Sequence, residues 1–141
     1  MTNFGFNLVP KAGSPWNAKF TEHLLLVEAD PGLRESRRLL LCSLGVQVHA
    51  VGTHREVYQL LRETPYSLVI LDVPRDPDQA TQFAEFAGAR WPAAKILLLG
   101  RGCSLDDWLY DDVFDPYCNP GGFIQCVQSM LERAQAERLI R

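Results

Sequence analysis

Two short apolar runs in this chain break off at carboxylates. Residues 67–73 read SLVILDV and end on Asp72; residues 23–30 read HLLLVEAD and run into Glu28 and Asp30. Apolar runs of this length without alternation mark strands buried on both faces, as in a parallel sheet. Similar runs fall at 46–51, 94–100 and 113–118. Between them the period becomes helical. Asp30 and Pro31 predict an N-cap and a proline at the first helical position, followed by a stripe of Leu33, Leu40, Leu41 and Leu44 that stops at Gly45. Thr53 and Glu56 form a capping box for a second helix, which carries Val57, Leu60 and Leu61 and stops before Pro65. A third helix is predicted over 78–90 with Ala80, Phe83, Ala84 and Ala87 inward, and a short fourth over 104–110. A last helix runs from about 122, with Phe123, Val127, Met130, Leu131 and Ala134 inward.

Strict alternation of strands and helices predicts an α/β fold, a doubly wound five-stranded parallel sheet with right-handed crossovers. The flavodoxin-like strand order 2-1-3-4-5 suits a chain of 141 residues. The expected organisation is a leader over 1–21, one domain over 22–134 and an extension of the last helix over 135–141. The leader holds Pro10, Pro15, Gly5 and Gly13, which disfavour regular structure, but also Phe4, Phe6, Leu8, Val9, Trp16 and Phe20. A flexible leader and an arm packed on its own domain or on a partner are both consistent with that content.

Composition narrows the function. A net charge of −3 leaves no basic excess to neutralise phosphates, which argues against a general nucleic-acid binder. No apolar run reaches the ~18 residues a bilayer span needs, and no secretory signal opens the chain. The four cysteines, Cys42, Cys103, Cys118 and Cys126, form no CxxC pair and read as free thiols of a reducing cytosol. A redox pair of Cys118 with Cys126 is the alternative. His23, His49 and His54 have no zinc-ligand spacing. The expected location is cytoplasmic.

In the predicted order the first and third strands are neighbours, so Glu28, Asp30 and Asp72 gather at one sheet edge. Open α/β sheets place their sites at the carboxyl ends of strands. Crowded carboxylates repel unless a cation or an arginine joins them. Helix capping accounts for Asp30 on its own, but no helix begins at Asp72.

With these residues in hand, the chain resembles a response-regulator receiver domain (CheY-like). LLLVEADPGLRESRRLLLCSLGVQV is similar to the opening of that family, ETPYSLVILDV to its phosphoacceptor strand, WPAAKILLLG to its fourth strand, and DPYCNPGGFIQCV to its fifth strand and last-helix entry. The resemblance implies that Asp72 is the phosphoacceptor and that Glu28 is the first of two acids after strand one. The second acid, a Mg²⁺ ligand in the family, falls on Ala29. The hydroxyl residue ending strand four falls on Gly100, and the lysine of the Lys-Pro pair on Asn119, before Pro120. The bond between those two is typically cis in the family. The aromatic switch position falls on Pro116, with Tyr117 one place later. The loop after the acceptor carries Pro74 and Arg75.

These departures weaken the chemistry. An aspartate accepts a phosphoryl group only if a cation offsets the charge on the transferring oxygens. Mg²⁺ is the cofactor the resemblance implies, with Glu28 and Asp72 as its remaining ligands and its binding weakened by Ala29. Arg75 and Arg101, on loops bordering the pocket, are the candidates to pair with Asp72 instead, with solvated surface arginines as the equal alternative for each. The favoured reading is therefore a degenerate, stand-alone pseudo-receiver, a phosphorelay-type signalling module that works by protein–protein contact rather than as an enzyme. The alternatives are a working receiver phosphorylated on Asp72 by a histidine-kinase pathway, and a small-ligand binder or enzyme on the same fold. The implied partner is a kinase or a downstream effector. The implied surface is the face of the fourth helix, fifth strand and last helix, carrying Trp108, Tyr110, Phe114 and Tyr117. A homodimer through that face, helped by Leu139 and Ile140, is also expected.

Overall fold

The computed structural model describes residues 22–60, 64–72, 77–100, 107–116 and 119–140. Strands β1 (His23–Val27), β2 (Gln47–Val51), β3 (Tyr66–Asp72), β4 (Lys95–Leu99) and β5 (Asp112–Phe114) alternate with helices α1 (Pro31–Cys42), α2 (His54–Tyr58), α3 (Pro77–Arg90) and α4 (Phe123–Ile140). The sheet is parallel throughout, in the order β2-β1-β3-β4-β5, as the alternation predicts. The leader 1–21, the loop positions Pro74, Arg75 and Arg101, and the residues Tyr117, Cys103 and Cys118 lie outside the described residues.

The sheet is covered on both faces, which is why its inner strands are apolar without alternation. Leu25, Val27, Val69 and Leu71 pack under Val57 of α2 and under Ala80, Phe83, Ala84 and Ala87 of α3. Leu24, Leu26, Leu68, Ile70, Leu97 and Leu99 pack under Leu41 of α1 and under Phe123, Val127, Met130 and Leu131 of α4. The inward faces expected of α3 and α4 are those found. The caps also form as the sequence predicts. Asp30 accepts from the Leu33 N–H at 2.9 Å, and the Thr53–Glu56 capping box is closed in both directions.

Three expectations need correction. The described part of the expected fourth helix is one 3₁₀ turn, Asp107–Leu109, which buries Leu109 and leaves Trp108 exposed. Strand β5 stops at Phe114, because the segment reaches Pro116, which has no N–H to give a ladder. On α1, Leu40 is exposed rather than part of the buried stripe; it lies about 100° around the helix from the buried Leu41. The residue one turn before Leu41, and buried with it, is Arg37.

Candidate functional site

The register sets the site. Val27 pairs with Leu71, so the residues that follow, Glu28 and Asp72, emerge side by side at the carboxyl edge of the sheet. Glu28 continues β1 by one further bond, its N–H donating to the Val51 carbonyl at 3.0 Å. That bond holds Glu28 in the ladder and keeps the whole residue buried, with 4% of its surface exposed. Asp72, the last residue of β3, remains half-buried.

A third charge completes the group. Arg37 reaches down from α1 and is itself buried, at 5% exposure. Its Nη1 donates to Glu28 Oε1 and, at 3.0 Å, to Asp72 Oδ2. One guanidinium nitrogen therefore bridges the two carboxylates the sequence brings together. The surroundings hold this arrangement in place. Glu28 Oε2 accepts from the Asp30 N–H at 3.1 Å, and the Glu28 carbonyl accepts from Arg34 Nη1 at 3.0 Å. Gly52 makes room for Arg34, since a Cβ there would stand 2.3 Å from the guanidinium nitrogen.

Two carboxylates with one cation leave a net charge of −1 in a mostly buried place. The cost falls on Glu28, whose pKa rises from 4.5 to about 7. Burial is the main cause, and the neighbouring Asp72 adds to it. The Asp30 N–H and the Arg37 charge pull the other way without cancelling it.

The other expected site residues fall less favourably for phosphoryl chemistry. Ala29 is exposed and presents only a methyl group where a second acid is expected. Asp30 is committed to capping α1. Gly100 stands at φ 155°, a conformation that side-chain-bearing residues rarely adopt, while its N–H donates to the Phe114 carbonyl at 3.0 Å. Asn119 turns onto its own loop: its Oδ1 accepts from the Gly122 N–H at 3.2 Å, over a 3₁₀ turn at Pro120–Gly122. No cis peptide bond occurs among the described residues, which corrects the cis Asn119–Pro120 bond that the resemblance implies. Pro120 instead opens that turn, where a missing N–H costs nothing. The donor set does not fit a Mg²⁺ ion as it stands, because the two carboxylates that would face the metal are already bonded to Arg37. Among the described residues there is no group of three or more acidic, histidine or cysteine side chains able to hold a metal.

Arg37 is the residue that sequence reasoning missed. The expectation placed the pairing arginine at Arg75 or Arg101, both outside the described residues. The signal for Arg37 was present in the spacing: Leu33, Arg37 and Leu41 are four residues apart, so a charged residue stands on an inward stripe. On the expected interaction face Trp108 is strongly exposed, at 72%, whereas Tyr110 and Phe114 are half-buried. Cys42 and Cys126 are free thiols.

No protein-family model matches the chain, and no curated protein matches it in sequence. Solved structures do match in fold. A CheY-like receiver domain protein from Methanospirillum hungatei is 19% identical, with a TM-score of 0.71 over 84% of this chain and 99% of that one. The response regulator TrrA from Thermotoga maritima, in complex with Mg²⁺ and BeF, is 22% identical, with a TM-score of 0.67 over 78% of this chain and 99% of that one. A protein described as an adenylate cyclase from Rhodopirellula baltica is 16% identical, with a TM-score of 0.71 over 86% of this chain and 98% of that one. The chain therefore has the fold of response-regulator receiver domains, the CheY-like form of the flavodoxin-like architecture.

Proposed function

We propose that this chain is a degenerate receiver-type signalling module, one that works through protein–protein contact with little or no phosphorylation of Asp72. The observation that carries this reading is the Arg37 bridge. The positive charge that phosphoryl transfer needs beside the acceptor is supplied by the protein itself, and it is bonded to the acceptor carboxylate. A phosphodonor would have to displace that guanidinium from Asp72 without a second acid at Ala29 to recruit metal. Gly100 and Asn119 supply neither a hydroxyl nor a cation to follow a transferred phosphate.

The output surface in this reading is the exposed side of the region after β4, where Trp108 and Val113 stand out to solvent and Leu139 projects from α4. A kinase or effector protein, or a second copy of the chain, would be bound there. The kinase complex solved for TrrA, with the histidine kinase ThkA, supports a protein partner for a chain of this fold.

The test is direct phosphorylation. The protein is incubated with Mg²⁺ and a small-molecule phosphodonor, and its intact mass is followed beside an Asp72→Ala control. The proposal expects no Asp72-dependent mass gain. A stoichiometric gain that the control lacks would make the chain a working receiver.

A further inference from the structure

Two imidazoles that are far apart in the sequence come together at the amino edge of the sheet, at the opposite end of the strands from Asp72. His23 opens β1 and pairs with Gln47, while Leu25 pairs with His49 on β2. Side chains two apart on a strand share a face, so this register puts both histidines on one face of adjacent strands. One strand spacing and two residue rises separate them, which sets their Cα atoms about 8 Å apart. Diagonal neighbours at that separation are within reach of aromatic side chains. Both residues are half-buried, and both line one open recess of about 200 Å³ together with Thr64 and Tyr66.

The hydrogen bonding sets this pair apart from ordinary surface histidines. His49 Nδ1 lies 2.9 Å from the Tyr66 hydroxyl. Tyr66 is buried and packs edge-on against Trp91, with ring centroids 5.0 Å apart, so its oxygen is a fixed point. The bond pins the His49 ring and leaves Nε2 as its open nitrogen. The His23 ring has no hydrogen-bond or ion-pair partner among the described residues. No carboxylate lines the recess, so neither ring is held there as half of an ion pair. A histidine bonded at one ring nitrogen and open at the other is arranged as a metal ligand, because the outer partner fixes both tautomer and orientation. Imidazole nitrogens suit Zn²⁺, Ni²⁺ and Cu²⁺.

We propose that His23 and His49 form an exchangeable site for a divalent transition-metal ion such as Zn²⁺, with Tyr66 as the positioning residue behind His49. Two protein nitrogens, with water in the remaining positions, make an open site rather than a closed four-ligand one. The linear spacing of the histidines does not show it, because only the pairing of β1 with β2 creates it. Strand β2 ends the sheet and is bonded to β1 alone, so an ion held by both rings clips the edge strand in place. This does not rest on the reading of the Asp72 site, which lies at the other end of the strands.

The test uses the full chain and Zn²⁺ alone. The ring-nitrogen resonances of the histidines are followed through a titration, beside thermal melts. The expected result is a saturable shift of one nitrogen in each of His23 and His49, at one equivalent, with a Tm that rises with Zn²⁺ concentration. His23→Asn and His49→Asn should each abolish saturation. Tyr66→Phe should weaken binding about tenfold by freeing the His49 ring. Absence of a saturable shift at either ring would overturn the proposal. So would binding that persists in both histidine variants, as binding at the free thiols of Cys42 and Cys126 would. Equal affinity in Tyr66→Phe would overturn the role given to Tyr66.

Discussion

Replacing Arg37 with methionine removes the charge that Glu28 and Asp72 share and leaves most of the side-chain volume in place. Two carboxylates then face each other with no cation between them. Removing one partner of a buried ion pair costs about 3–5 kcal/mol, mainly because the remaining charge is left uncompensated. Here the Glu28 and Arg37 side chains are 5% and 7% exposed, so water screens them little, whereas the Asp72 side chain is 24% exposed and partly solvated. The lower end of that range, about 3 kcal/mol, is therefore expected at pH 8. For a domain of this size that corresponds to a fall in Tm of roughly 10–15 °C. The loss depends on pH with a definite sign. Loss of the guanidinium raises the Glu28 pKa further, so at pH 5 the carboxyl is protonated in the variant and needs no cation. The destabilisation at pH 5 should then be less than about half of that at pH 8. Urea unfolding at the two pH values, with unchanged m-values, measures both quantities. A loss below about 1 kcal/mol at pH 8 would refute the reasoning, as would a loss of equal size at both pH values.

Other outcomes follow from the same geometry. In the native chain the folded state holds the Glu28 proton up to about pH 7 while the unfolded state releases it near 4.5. Stability from this residue is therefore full below pH 4.5, falls as pH rises through that window and levels off above it, by up to about 3 kcal/mol. Glu28→Gln should flatten the slope and be at least as stable as the native protein at pH 8, as read by thermal melts across pH. Glu35 and Glu56 are held below their usual pKa by Arg38 and by the Gly52 N–H respectively, so their stabilisation is lost only at lower pH, in the opposite sense. Asp30→Ala removes the α1 cap and should cost about 1 kcal/mol in urea titrations. Gly100→Thr restores a hydroxyl at the end of β4 but strains the backbone at φ 155°, so it should lower the unfolding midpoint without creating phosphorylation at Asp72.

Much of the fold was legible because local signals and global pattern agree. Asp30-Pro31 and Thr53–Glu56 fix helix starts by hydrogen bonds between near neighbours, and the apolar run ending at Asp72, bounded by Pro65 and rich in β-branched and leucine residues, reads as a strand buried on both faces, as Tyr66–Asp72 is. The carboxylate pair was legible too, since strand order alone brings Glu28 beside Asp72. Arg37 was harder. Its stripe position is visible in Leu33-Arg37-Leu41, but a charge inside an apolar stripe has meaning only once the opposing surface is known to be acidic. Leu40 misled for a related reason, because leucine content says nothing about which side of a narrow stripe faces the sheet. Over the described residues the expected fourth helix is one 3₁₀ turn and the fifth strand stops at Phe114, where Pro116 and a short, acid-rich segment supply little local drive. The cis bond at Asn119–Pro120 came from resemblance alone and did not survive a residue change that ties Asn119 to its own turn.

The central claim is that Arg37 stands where a receiver fold would otherwise need a metal. Titration of the native protein and of Arg37→Ala with millimolar Mg²⁺, then with Mg²⁺ plus beryllofluoride, followed through the Glu28 and Asp72 amide resonances, tests it most directly. The account predicts no saturable shift in the native chain and a saturable, Asp72-dependent Mg²⁺ response in Arg37→Ala. A saturable, Asp72-dependent response already present in the native chain would contradict it.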